Sequence, residues 1–117
     1  MKYLLMIYSS EAAQQAASKA DNEQMHAAYG AYTQTLIKAG AMAGGERLRP
    51  TNTATTVRIA GGKTKVVNGP YAETKEQLGG YYMIEAADLD AAIAWAARCP
   101  AASHGAVEVR PIWPMNE

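Results

Sequence analysis

The stretch Asn68–Tyr82, NGPYAETKEQLGGYY, carries the densest set of side chains that could do chemistry. Amide and phenol groups, carboxylates and one ammonium group fall within a few residues, and small-ligand pockets use such sparse polar sets. The ligand-binding candidates in it are Asn68, Gly69, Pro70, Tyr71, Glu73 and Lys75. The alternative is a scaffold: Asn-Gly-Pro forms only a turn, and the charges that follow form only a solvated surface.

Two further tyrosines and two arginines complete the candidate site. Tyr29 and Tyr82 could line the apolar part of a pocket, although tyrosines in these positions are also typical core residues. Arg47 and Arg110 could hold an anion through bidentate contacts. Tyr29 is in addition the candidate catalytic residue. It would act as a proton donor, because the usual phenol pKa of about 10 makes it a poor base.

Metal and nucleophile chemistry receive little support from the sequence. His26 and His104 lie far apart, and neither has a partner at metal-ligand spacing, so we predict no metal and no other cofactor. Cys99, the only thiol, is predicted at a helix C-terminus, where the helix dipole raises a thiol pKa. We therefore expect an inert, packed cysteine.

The apolar periodicity and the turn residues predict an α+β fold. Its elements run strand, helix, strand, hairpin, strand, helix, strand. Without the hairpin this is the ferredoxin-like order βαββαβ. The predicted strands are Lys2–Tyr8, Ala41–Arg49, Thr55–Ala60, Lys63–Val67, Tyr81–Ala86 and Ala106–Ile112, and the predicted helices are Asp21–Ala39 and a second one from Asp88 to Cys99.

Local signals add detail to these elements. Asp21 and Asp88 are the predicted N-caps of the first and second helices, and Thr74 with Gln77 has capping-box spacing for one short helical turn. Gly44-Gly45 predicts a β-bulge. The predicted buried stripe of the second helix is Leu89, Ala92, Ile93 and Ala96.

The first strand, Lys2–Tyr8, is apolar on both faces, which is typical of a strand buried on both sides. Two helices can cover only one face of the sheet. A second copy of the sheet would bury the other face, which predicts a symmetric homodimer with a barrel-like interior.

Composition excludes several function classes. A chain of 117 residues is most simply a single domain, 1–117. Eleven basic and eleven acidic residues cancel, so we expect no nucleic-acid partner. No apolar run approaches the roughly 20 residues of a membrane span, so we expect no membrane partner. A single cysteine and no signal-peptide pattern predict a cytoplasmic protein.

The same stretch, Asn68–Tyr82, resembles the signature of the DGPF-domain proteins, a branch of the YCII-related family. The likeness extends over essentially the whole chain, through Asp88-Leu89-Asp90, Ala94-Trp95-Ala96 and Gly105–Pro111. One departure lies in the signature itself. The family's Asp-Gly-Pro-Phe is Asn-Gly-Pro-Tyr here, which removes a carboxylate and adds a hydroxyl.

This resemblance implies a dimeric α+β barrel, in a family most of whose members have no assigned activity. DGPF proteins are often encoded beside extracytoplasmic-function sigma factors, so it also implies a sigma factor as partner and an accessory or sensory role. Related proteins carry a His–Asp pair proposed for proton transfer, and the corresponding positions here are Tyr29 and Cys99.

Three function classes follow. The first is a domain that binds a small anionic or aromatic molecule. The second is an enzyme that moves protons on a small oxygenated ring, since similar barrels include lactone isomerases and a dechlorinating enzyme. The third is a protein-interaction module without a ligand.

Overall fold

Strands and helices follow one another as expected for an α+β fold. The structure, a computed structural model, describes residues 1–116. Its strands are β1 (Lys2–Ser9), β2 (Met42–Arg47), β3 (Thr55–Ala60), β4 (Lys63–Asn68), β5 (Gln77–Glu85) and β6 (Ala106–Pro111). Its α-helices are α1 (Glu11–Ala16), α2 (Lys19–Lys38) and α3 (Leu89–Arg98), and short 3-10 turns lie at Thr51–Thr53 and Pro100–Ser103.

The main sheet of the described chain has the strand order β2-β5-β1-β6, and all its neighbouring strands are antiparallel. This order and the intervening helices are consistent with a ferredoxin-like arrangement. Strands β3 and β4 stand outside this sheet and pair with each other. None of the helices in residues 1–116 is long and apolar enough to span a bilayer.

Strand β1 lies at the centre of the main sheet, where Leu5 pairs with Tyr82 of β5 and Val109 of β6. Its side chains alternate along the strand: Tyr3, Leu5 and Ile7 are buried. This alternation follows from the two-residue repeat of a strand. One face of β1 therefore points into the helix-covered core.

Each α-helix begins at a side-chain cap. Ser10 Oγ accepts from the Ala13 amide at 3.1 Å at the start of α1, and Ser18 Oγ accepts from the Asp21 amide at 3.0 Å at the start of α2. The prediction of Asp21 as N-cap was wrong, because Ser18 satisfies the free amides one turn earlier. Asp88 caps α3 as predicted, with Oδ1 accepting from the Ala91 amide at 2.9 Å.

The core lies between one face of the main sheet and the helices α2 and α3. Leu5, Leu36 and Ile84 are its largest fully buried side chains. Among residues 1–116, the buried apolar side chains are Tyr3, Leu5, Ile7, Tyr32, Leu36, Ala41, Tyr82, Ile84, Ala92, Ala96, Cys99 and Ala101.

Helix α3 contacts this core through alanines rather than through its larger apolar residues. Ala92 and Ala96 are buried as predicted, whereas Leu89 and Ile93 are about half exposed, at 48% and 49%. The prediction that Leu89 and Ile93 are buried was wrong for the described chain. Small residues let the helix approach the sheet closely, and Ile93 is left on the rim of a shallow apolar groove beside β6.

The predicted helical turn at Thr74–Gln77 does not form. The Gln77 side chain donates from Nε2 to the Thr74 carbonyl at 2.5 Å, and the Thr74 hydroxyl donates to the Glu76 carbonyl. Both side chains bond to nearby carbonyls and leave the amides of a capping box unused. Strand β5 consequently begins at Gln77, four residues before the predicted start at Tyr81.

The other face of the main sheet carries a continuous apolar surface, which we call the open face. It is formed by three side chains of β1 and two of β5: Leu4, Met6, Tyr8, Tyr81 and Met83. Leu4 pairs with Met83 across the two strands, and Met6 pairs with Tyr81. These side chains are only partly buried, and in the described chain no helix packs against them. The apolar residues on both faces of β1 predicted burial on both sides, whereas the described chain covers only one face of the sheet.

Hairpin β3–β4 makes the molecule extended. All six residues of β4 are exposed. The radius of gyration is 16.3 Å, whereas a compact domain of this length has about 13 Å. The described chain measures 48 × 46 × 18 Å along its principal axes.

Two adjacent glycines at the start of β5 have different surroundings. A Cβ on Gly80 would lie 2.8 Å from the Glu46 carbonyl oxygen and 3.4 Å from the Arg47 Cα. A Cβ on Gly79 would meet nothing closer than the Ile7 carbonyl oxygen at 4.0 Å. Of these two glycines, only Gly80 is required by the close approach of β2 to β5.

We expect Gly80→Ala to destabilise the protein by about 1–3 kcal/mol, because the new methyl group meets backbone atoms that cannot move aside. Gly79→Ala is the matched control and should change the unfolding free energy by less than about 1 kcal/mol. Urea unfolding followed by circular dichroism measures both. Equal stabilities of the two variants would show that β2 can shift away from β5 freely.

Candidate functional site

The loop that follows β4 is attached to the hairpin. Gly69 has φ +124, its amide donates to the Ala54 carbonyl at 2.7 Å, and its carbonyl accepts from Thr56 Oγ1 at 2.8 Å. Tyr71 is 76% exposed, and the Arg58 guanidinium lies 4.9 Å from the centre of its ring. Asn68 is the last residue of β4, and Pro70 is half-buried. The first half of the signature stretch is therefore bonded to the hairpin.

The second half of this stretch is anchored to α1. Glu73 and Lys75 are exposed. Gln77 Oε1 accepts from the Glu11 amide at 2.9 Å. The Glu11 carboxylate in turn accepts from the Thr51 amide at 2.8 Å and from the Thr51 hydroxyl at 2.7 Å. These bonds fix the ends of the loop and leave its charged side chains in solvent.

Tyr82 and Tyr32 belong to a buried aromatic cluster beneath α2 and α3. The rings of Tyr32 and Tyr82 meet edge to face at 5.3 Å, and Tyr32 and Trp95 do so at 6.5 Å. The Tyr82 hydroxyl lies 2.8 Å from Thr33 Oγ1, and the Tyr32 hydroxyl donates to the Trp95 carbonyl at 2.6 Å. The polar ends of both rings are satisfied within the protein.

Tyr29 lies on the same side and interacts with the buried Cys99 thiol. Burial raises the pKa of Tyr29, and the neighbouring thiol adds to that rise. Burial likewise raises the pKa of Tyr32, of Tyr82 and of Cys99. The hydrogen bond with Thr33 opposes the rise for Tyr82, and the Ala101 amide opposes it for Cys99.

These pKa directions decide what the cluster can do. All four groups keep their protons at neutral pH, so they can donate hydrogen bonds and cannot act as bases or as a thiolate nucleophile. Tyr29 and Cys99 are the two positions to which the family resemblance assigns a proton-transfer pair. They do lie together, as a neutral phenol and a neutral thiol.

Arg47 lies elsewhere, in a cleft between the end of β2 and the first half of α2. The cleft has a volume of about 660 Å³ and is open to solvent. Its lining consists of Lys19, Asn22, Glu23, His26, Ala27 and Arg47. Two permanent cations and one imidazole thus face one carboxylate, which makes the cleft electropositive.

A β-bulge decides that Arg47 faces α2. Met42 pairs with Ile84 of β5 and Gly44 pairs with Met83, so Ala43 is an extra residue in β2. The bulge was predicted at Gly44-Gly45 and lies one residue earlier. Because the extra residue shifts the alternation of side chains, Arg47 lies opposite Gly80 on the helix-covered face.

Arg110 lies at the opposite edge of the sheet and on its other face. It is opposite Leu4 of the open face, and its guanidinium forms an ion pair with Glu108. Arg47 and Arg110 are therefore separated by the sheet and cannot bind one anion within a single chain.

The sequence analysis considered His26 only as a metal ligand and did not include Lys19 or Asn22 in a site; His26 is exposed in the structure. A signal for them was present, because residues 19, 22 or 23 and 26 follow one another at helical spacing. Finding the cleft also required the position of Arg47 on a neighbouring strand. Within residues 1–116, no group of three or more histidine, cysteine, aspartate or glutamate side chains could hold a metal ion.

Comparison with known proteins gives matches over nearly the full chain. The YCII-related domain family matches residues 1–116. An uncharacterised protein of Rhizobium meliloti (strain 1021) is 40% identical over 114 residues, which cover 96% of this chain and 92% of that protein. The name of that relative states no activity, so the function has to be argued from the geometry.

The buried phenols and thiol predict a loss of stability at alkaline pH. The unfolded groups titrate near their ordinary pKa values of 9.0 for cysteine and 10.0 for tyrosine. Their folded pKa values are raised, so their contribution is fully present below about pH 9 and is lost as the pH rises further. Chemical denaturation between pH 7.5 and 10.5 measures this decrease.

Tyr29→Phe should make the alkaline decrease less steep, because one proton fewer is released on unfolding. Tyr71→Phe removes a phenol that is 76% exposed and is the control that should leave the steepness unchanged. A wild-type protein whose stability stays constant up to pH 10.5 would contradict the raised pKa values.

Proposed function

Because the chain belongs to the YCII-related domain family, we propose that it is a homodimeric domain of the DGPF branch that binds a small organic anion. The observation that carries the proposal is the cleft in which Lys19, His26 and Arg47 lie together. Its volume is about 660 Å³ and it is open to solvent, so a ligand would bind there with one side exposed.

The charges of the cleft favour an anion. Lys19 and Arg47 outnumber Glu23, so the lining is positive even when His26 is neutral. Lys19 is the first residue of α2, and the amides at a helix N-terminus add partial positive charge near it. An arginine fork and an ammonium group together suit a carboxylate or phosphate ester.

The aromatic alternative receives less support. Tyr32 and Tyr82 are buried, and their hydroxyls bond to Trp95 and Thr33. A flat ligand would have to displace these contacts to stack on either ring. The exposed aromatic side chain of the signature stretch is Tyr71, and Arg58 already lies over it.

The signature loop stays in the proposal as a second ligand-binding element. Glu73 and Lys75 are exposed and held on a loop that is fixed at both ends. Exposed charges on a fixed loop are suited to contacting a ligand that enters from solvent. Asn68 in place of the family's Asp removes a negative charge, which is favourable for an anionic ligand.

The open face is the reason for proposing a homodimer. Leu4, Met6, Tyr8, Tyr81 and Met83 form one apolar surface, and soluble proteins usually cover such surfaces with a partner. A two-fold axis would place the open face of a second copy against it and bury both.

An enzyme is the second candidate function. His26 is the side chain in the cleft best suited to proton transfer, since imidazole is the commonest general acid or base. The neutral cluster around Tyr29 would supply hydrogen-bond donors only. Turnover of a bound lactone that disappears in His26→Gln while binding persists would favour the enzyme over a binding domain.

A sensory or accessory role beside an extracytoplasmic-function sigma factor is the cellular role that the DGPF resemblance implies. Ligand binding in the cleft is compatible with it. The third candidate, an interaction module, would bind the sigma factor and no small molecule.

The first test of the proposal is ligand affinity. A thermal-shift screen of carboxylates and phosphate esters identifies a ligand, and titration calorimetry then compares variants. Arg47→Ala should weaken binding by about 1–3 kcal/mol through the loss of a charge-assisted hydrogen bond. Stability should change by no more than about 0.5 kcal/mol, because the side chain is exposed.

Matched variants separate the cleft from the loop. Arg110→Ala removes an arginine on the other face of the sheet and should keep full affinity. Glu73→Ala and Lys75→Ala show whether the loop takes part. Normal affinity in Arg47→Ala together with a loss in Lys75→Ala would move the site to the loop, and normal affinity in all of them would refute both locations.

The second test is molecular mass. Light scattering at micromolar concentration should give twice the chain mass of 12.5 kDa. Met6→Lys places a charge in the middle of the open face and should yield monomers, since an unpaired charge is costly to bury. Ile37→Lys, on the exposed side of α2, is the control. A monomeric wild-type protein would remove the basis for the homodimer.

A further inference from the structure

Hairpin β3–β4 has one apolar face and one basic face. Residues that pair across two strands share a face, and Val57 pairs with Val66 while Ile59 pairs with Thr64. On the other face Arg58 pairs with Lys65. The side chains of Val57, Ile59 and Val66 are 58%, 68% and 61% exposed.

The rest of the described chain does not cover this apolar face. Strands β3 and β4 form a sheet of their own, and the bonds of Gly69 to Ala54 and Thr56 close its base. An isolated two-stranded hairpin is marginally stable in water, and three or more strands or a packed partner are needed for independent stability. Exposed β-branched side chains on such a hairpin therefore indicate a docking surface.

The distribution of charge indicates the partner. The hairpin, residues 55–68, contains three basic residues, Arg58, Lys63 and Lys65, and no acidic residue. The remainder of the chain contains the other eight basic residues and all eleven acidic ones, which gives −3 against the +3 of the hairpin. The body of a second copy is thus electrostatically complementary to the hairpin.

We propose that the hairpin of each protomer docks through Val57, Ile59 and Val66 onto the body of a second copy and clasps it. The proposal rests on the homodimer proposed above and adds a second contact to the open face. In a two-fold dimer the contact occurs twice, once for each hairpin. Arg58, Lys63 and Lys65 lie on the opposite face of the hairpin, so they attract the acidic body of the partner at longer range and make no direct contact with it.

Adjacent valines provide the decisive test. Val66 lies on the apolar face and is 61% exposed, while Val67 lies on the basic face and is 59% exposed. Val66→Asp should raise the dimer dissociation constant at least tenfold, because a carboxylate enters both copies of the contact. Val67→Asp introduces the same residue at the same exposure and should change it less than threefold. Sedimentation equilibrium measures both.

Separate controls distinguish a loss of folding from a loss of the proposed dimer contact. Ile59→Ser, a milder change at the most exposed of the three docking residues, should also weaken the dimer, and circular dichroism melts check that each variant is folded. A dimeric wild type with equal constants for Val66→Asp and Val67→Asp overturns the clasp and leaves the open-face dimer standing. A monomeric wild type overturns both.

A membrane is the competing occupant. Wild-type protein that sediments with vesicles containing 30% phosphatidylserine, with loss of binding in Lys65→Glu and no effect of Val66→Asp on the dimer, would overturn the clasp in favour of a lipid surface.

Discussion

The structure depends on a sheet whose central strand is apolar on both faces while the chain's own helices cover one. Strand β1 places Leu5 and Ile7 in the core beneath α2 and α3, and Leu4 and Met6 on the open face. Burial of the first pair holds the helices in place. The second pair has no counterpart in the described chain. The same alternation that builds the core thus leaves a partly exposed apolar surface on the other side of the sheet.

Some predictions rested on a local sequence signal, such as a helix cap. Whether they were right depended on which of several possible side-chain hydrogen bonds forms in the structure. Asp88 caps α3 as predicted, but Ser18 replaces Asp21 at the start of α2, because both residues can cap and only packing selects the register. At Thr74 the capping-box pattern is present, yet the Thr74 and Gln77 side chains bond to carbonyls instead. The types of most elements and their order along the chain could be predicted from periodicity, whereas helix α1 and these boundaries could not.

The placement of the candidate site residues depends on strand register, which the sequence does not state. The sequence makes Arg47 and Arg110 equivalent candidates for binding an anion. In the structure, the pairing of β2 with β5 and of β6 with β1 places them on opposite faces of the sheet. A single extra residue, Ala43, directs Arg47 towards α2 and Glu46 towards the open face. A bulge predicted near Gly44 was therefore more informative about the site than any property of the arginine itself. Helical spacing alone could have joined Lys19 to His26, but their proximity to Arg47 is a tertiary fact.

The net charge of zero conceals an uneven distribution of charge. Averaged over the chain, it argues against a polyanionic partner, yet the hairpin of residues 55–68 carries +3 and the remainder −3. The loop from Asn68 to Tyr71 is bonded to the hairpin through Gly69 and Arg58, whereas the Lys19–Arg47 cleft belongs to the body. If the hairpin docks on a second copy, the loop is carried towards that copy's surface.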